Sequence, residues 1–154
     1  MSKAILTGLV GFMLLAGCDA SSQSPYKKMN TGQSAEQARG EAPSARPDWL
    51  PNDIPLPDDM VIFETSRMQL PSEDHVTYSL KGYSWSNPDA EATAGRMREK
   101  ILAAGYKPEG NDAAVTPQLI QFSGKGLKPG TIAFMQVDSY PDHLVISLSL
   151  NRQE

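Results

Sequence analysis

The chain has 154 residues, of which 40% are hydrophobic, with 14 Lys and Arg against 18 Asp and Glu and a net charge of -4. A mildly acidic surface disfavours nucleic acid, whose phosphates require clustered Lys and Arg, and disfavours broad adhesion to anionic lipid head groups. With one cysteine in the whole sequence, an intrachain disulfide, a redox pair and a multi-cysteine metal site are excluded.

The N-terminus begins with a lone Lys3, continues through about a dozen mostly apolar residues from Ala4 to Leu15, and ends in Leu15-Ala16-Gly17-Cys18. A run this short reads as a signal peptide over 1–17, since a bilayer-spanning helix needs roughly 20 apolar residues. The Leu-Ala-Gly-Cys sequence resembles the lipobox of bacterial lipoproteins, and the resemblance covers about the first 19 residues. It implies that Cys18 becomes the first mature residue, carrying a thioether-linked diacylglycerol and an N-acyl chain such as palmitate. Each buried methylene contributes about 0.8 kcal/mol, so two or three chains fix the protein to a membrane. Asp19 beside the lipidated cysteine resembles the enteric signal for retention in the inner membrane, which is therefore favoured over the outer membrane. Removal of Lys3 with the signal peptide leaves 13 basic and 18 acidic side chains, a net charge of -5.

Between Asp19 and Pro47 there is no Leu, Ile, Val or Phe. Such a segment lacks the apolar side chains that offset ordering entropy, so 18–47 is expected to be a disordered tether. Its average span would be about 30 Å and its stretched limit on the order of 100 Å.

The remainder, 48–154, is the size of one small domain. Pro47, Pro51, Pro55 and Pro57 alternate with Trp49, Leu50, Ile54 and Leu56, the pattern of an extended lead-in laid along a core edge. Met60 to Leu70 and His75 to Lys81 predict a hairpin turning at Pro71 to Asp74, with Val76, Tyr78 and Leu80 on one face. Asn87-Pro88-Asp89 reads as a helix start with Asn87 as N-cap and Pro88 as the first helical residue. Ala90, Ala94, Met97, Ile101 and Ala104 then form one stripe, and Gly105 ends the helix near 104. Gly95 inside it is expected to mark a close approach to the sheet.

Leu119 to Phe122, Thr131 to Val137 and Leu144 to Leu150 predict three more strands. The order strand, strand, helix, strand, strand, strand gives an α+β fold: a mostly antiparallel sheet of about five strands with one helix on a single face. The other face would be exposed, making Tyr83, Trp85 and Val145 candidates for a contact surface; Tyr83, Trp85 and Tyr106 could together line a groove.

No reactive constellation stands out. There is no Gly-x-Ser-x-Gly elbow around His75 or His143. Asp138 to His143 lacks calcium-loop or zinc spacing and reads as turn chemistry, and Gly124-Lys125-Gly126 lacks the spacing of a phosphate loop. No catalytic residue, cofactor or metal is therefore expected. The sequence points to a non-catalytic binding module of the cell envelope, held by its lipid and meeting another envelope protein. A small-ligand or cell-wall binding domain is the alternative, and an envelope hydrolase a weaker one.

Overall fold

Alternation of apolar and polar residues runs longest in His75–Ser84 and Leu144–Gln153, and these two strands pair antiparallel along their full length, from His75 opposite Gln153 to Ser84 opposite Leu144. The computed structural model describes residues 26–69, 74–110 and 116–153. In chain order its elements are β1 (Tyr26–Asn30), α1 (Ala35–Ala38), β2 (Val61–Met68), β3 (His75–Ser84), α2 (Ala90–Ala103), β4 (Lys107–Pro108), β5 (Leu119–Ser123), β6 (Ala133–Ser139) and β7 (Leu144–Gln153). They form one antiparallel sheet in the order β1-β2-β3-β7-β6-β5-β4.

The α+β class and the antiparallel sheet agree with the sequence pattern, but the described residues hold seven strands and two helices rather than five and one. The additional strands are ones that side-chain patterning does not mark. β4 is a two-residue pairing of Lys107 and Pro108 with Ser123 and Phe122, and β1 pairs with β2 as an edge strand through its backbone. β1 and α1 also lie where a disordered tether was expected. From Tyr26 to Pro47 the chain instead gains its order from backbone and polar contacts that need few apolar side chains. Ser34 and Gln37 form a capping box around α1, and Ala38 is fully buried. Further along, Ser44 bonds to Met60 and Ile62, while Arg46 donates to the carbonyls of Pro51 and Ile54 at 2.8 Å each. The expected signal peptide, Cys18 and Asp19 lie outside the described residues, as does most of the expected turn at Pro71 to Asp74.

The core fills the space between α2 and one face of the sheet. Val76, Leu80, Ile146, Leu148, Met135, Val137 and Phe122 meet Ala94, Met97 and Ile101 there, and Leu50 and Ile54 of the lead-in close one side. Trp49 lies over it, stacked on Tyr78 with ring centroids 4.9 Å apart. The helix starts two residues later than expected. Asp89, not Asn87, accepts the Ala92 N–H as N-cap, while Asn87 bonds the Asp89 N–H in a preceding turn. Gly105, at φ +92°, lies beyond the helix end as anticipated.

Two glycines differ in what they allow. A Cβ on Gly95 would meet nothing within 4 Å, so this residue does not mark a close approach to the sheet. A Cβ on Gly82 of β3 would fall 2.9 Å from the Val61 carbonyl oxygen and 2.5 Å from the Met60 methyl, so here the missing side chain is what admits Met60.

Candidate functional site

The sheet face turned away from α2 carries a different set of side chains. Thr77, Ser79 and Lys81 from β3 share it with Val145, Ser147 and Ser149 from β7 and with Phe134 and Gln136 from β6, because period-two alternation puts these residues opposite the core positions. It is a field of short hydroxyls. Some are tied to one another, with Ser66 and Ser79 hydroxyl oxygens 2.6 Å apart and Thr77 donating to Asn151 at 2.7 Å. Phe134 stands in this field with 42% of its surface exposed.

At the end of the face near the β3 C-terminus the hydroxyls give way to rings. A β-bulge between Ile62 and Glu64 leaves Phe63 unpaired in the register. Phe63 stacks on Tyr83 at 4.3 Å. Trp85 follows with its ring 6.1 Å from Tyr83. His143 meets the Tyr83 ring edge-on at 5.5 Å and stacks on Tyr140 at 4.9 Å. Offset and edge-on arrangements are the favourable geometries for ring pairs. Burial, with a smaller contribution from Tyr140, holds the Tyr83 hydroxyl above the ordinary tyrosine range, and that hydroxyl donates to the Gln33 carbonyl at 3.2 Å.

Two carboxylates shape this end. Asp142 accepts a hydrogen bond from His143 at 2.7 Å and an ion pair from Arg39. The His143 bond is the largest influence and lowers its pKa; desolvation opposes it, and the Arg39 charge lowers it further. Asp59 lies on the core side and accepts from the Ser84 hydroxyl at 2.6 Å, the Trp85 N–H at 2.6 Å and the Ser86 N–H at 2.8 Å. Burial opposes its charge, but these donors outweigh it and the pKa falls below the usual carboxylate range. Asp59 thus fixes the backbone from which Trp85 projects. The Trp85 indole N–H is buried and has no hydrogen-bond partner among the described residues.

Tyr83 and Trp85 therefore stand together as the sequence suggests, and Val145 shares their face. Tyr106 does not join them. It is buried on the α2 side of the sheet, edge-on to Phe122 at 5.3 Å, with its hydroxyl donating to Asp53 at 2.8 Å. Lys125 pairs with the same Asp53 and lies over the Tyr106 ring. Burial and the Asp53 bond push the Tyr106 phenol far above the ordinary range. The aromatic residue just past the helix end was legible, but which layer it entered was not. Phe63, Tyr140 and His143 were missed because a bulge and a turn, not a period, turn them toward Tyr83.

The chain matches no family model, no curated protein and no solved structure. Among the described residues no group of three or more His, Cys, Asp or Glu could hold a metal ion, and no helix is long and apolar enough to cross a membrane.

A second feature is a cleft of about 190 Å³ between the lead-in and α2, lined by Leu56, Met97, Thr93, Arg96 and Lys100 among others. Arg96 donates to Thr93 at 3.0 Å. Asp58 lines the same cleft.

Proposed function

We propose that this chain is a lipid-anchored binding module of the bacterial cell envelope, fixed through Cys18 on the periplasmic side, with the inner membrane favoured. It acts without catalysis, and its partner is another envelope protein that docks on the open sheet face. The observation that carries this reading is the face itself. It is a broad antiparallel surface of short hydroxyls around an exposed Phe134, ending in the Phe63, Tyr83 and Trp85 rings. Exposed aromatic side chains are enriched at protein interfaces and supply much of their affinity, with polar, solvent-accessible groups forming the rim around them. A lipid that holds the domain at the bilayer suits a partner located there.

The reading is tested by placing a photo-crosslinking side chain at Phe134 or Ser147, and at Glu91 on α2 as a control, in cells carrying the full-length protein. Crosslinks to one envelope protein from the sheet positions alone are expected, and Cys18→Ser should weaken them. Equal yields from all three positions, or none, contradict it. The Arg96 and Lys100 cleft favours a second reading, a small-ligand or cell-wall binding domain. Chemical-shift changes at Arg96 and Lys100 on adding soluble cell-wall fragments, with none at the sheet face, would decide for it.

A further inference from the structure

Ala38 and Val61 are buried at 0% and 3% exposure yet lie outside the core beneath α2. Val61 stands opposite Tyr83 in the register, so it shares the open face, and the segment holding Ala38 is bonded to the aromatic end of that face through Tyr83 and Asp142. Polar contacts tie the segment to that end. Thr31 N–H donates to the Phe63 carbonyl at 2.9 Å, Gln33 accepts from Tyr83, and Arg39 pairs with Asp142 while both side chains stay more than half exposed. Exposed ion pairs of this kind add little to stability. Gly32 at φ +67° and Gly40 at φ +88° bound the segment, each in open space, and supply backbone freedom at both ends. The chain is held more firmly beyond them, by Ser44 and Arg46.

We propose that residues 33–39 form a releasable strap over a partner surface built from Val61, Phe63, Tyr83 and Asp142. The partner that replaces it is a polypeptide presenting a small apolar side chain followed by a basic one, the chemistry that Ala38 and Arg39 now supply. This rests on the reading of the chain as a protein-binding module. A strap tethered at both ends competes at an effective concentration on the order of millimolar, so a free peptide succeeds only when the strap is weakened.

The test uses the full-length chain in bilayer nanodiscs and the peptide corresponding to residues 31–41. Amides of 33–39 should exchange with solvent at least tenfold faster than those of β3 and β7, and Arg39→Glu should raise that ratio without changing β3 or β7. In Ala38→Asp the peptide should bind at least tenfold more tightly than to the unaltered chain, and the same peptide carrying Arg39→Glu should lose this gain. Strap amides that exchange only in step with β7, in the native chain and in Arg39→Glu alike, overturn the proposal. So does a peptide that leaves the Tyr83 and His143 signals of Ala38→Asp unchanged. Failure of the binding-module reading is separate, because it appears as missing crosslinks from Phe134 and Ser147 whatever the strap does.

Discussion

Replacing Asp59 with Ala removes the acceptor for three donors at once, and the cost follows from where each donor is left. Ser84 is 2% exposed, so its hydroxyl is left buried, whereas the Ser86 N–H bond is exposed. An orphaned buried donor costs about 1–3 kcal/mol and a lost hydrogen bond to a charged group about 1.5–3 kcal/mol, with solvent recovering part of the latter. The net destabilisation is therefore about 2–4 kcal/mol, or roughly 3–5 °C in Tm for each kcal/mol in a domain of this size. Asp59→Asn keeps an acceptor for the two N–H groups and should cost about 1 kcal/mol. Adding Ser84→Ala to Asp59→Ala removes the stranded donor and should return about 1 kcal/mol. Urea unfolding followed by circular dichroism measures all three, with the midpoint moving and the m-value constant. If Asp59→Ala unfolds within 0.5 kcal/mol of the native chain, the carboxylate is not the clamp that holds Trp85.

The same carboxylate sets a pH response. Its folded pKa is depressed below the unfolded value of about 3.9, so its contribution is complete above that value and is lost as pH falls through the lower folded pKa. Stability should therefore drop more steeply from pH 4 to pH 2 in the native chain than in Asp59→Asn. Gly95→Ala should stabilise by about 0.5–1 kcal/mol, because the helix gains a better former and the added methyl meets open space. Gly82→Ala should destabilise by about 1–3 kcal/mol, since Met60 can yield but the Val61 carbonyl belongs to the strand backbone. Thermal melts of the two variants should move in opposite directions. In a spectrophotometric titration, Tyr106→Phe should leave the phenolate signal unchanged up to pH 11, because Tyr106 ionises only well above that range; a signal reduced by one tyrosine would contradict its buried placement.

What the sequence disclosed depended on periodicity. The alternation in β3 and β7 and the stripe on α2 identified the centre of the sheet, its helix and the residues of the core, because burying one face demands those periods. Elements held by backbone and polar contacts left no such trace. Ala38 is the buried residue of α1, and β4 is two residues long. β6 begins at Ala133 rather than Thr131, because Thr131 spends its hydroxyl and its N–H on the Lys128 carbonyl in a turn. The candidate surface was half legible for the same reason. Tyr83, Trp85 and Val145 follow from alternation, but Phe63 reaches them through a bulge and His143 through a hairpin turn, and neither shift of register is written in a hydrophobic pattern. Tyr106 stands past the end of its helix, where periodicity no longer assigns a face.

The most direct measurement of the proposed partner docking on the open face is hydroxyl-radical footprinting of the protein in intact cells against the purified chain. Phe134 on that face and Leu102 on α2 are similarly exposed, at 42% and 38%, so each reports on one side of the domain. Phe134 should be oxidised several-fold more slowly in cells while Leu102 reacts at the same rate in both settings. Equal oxidation of Phe134 in cells and in isolation would contradict the account.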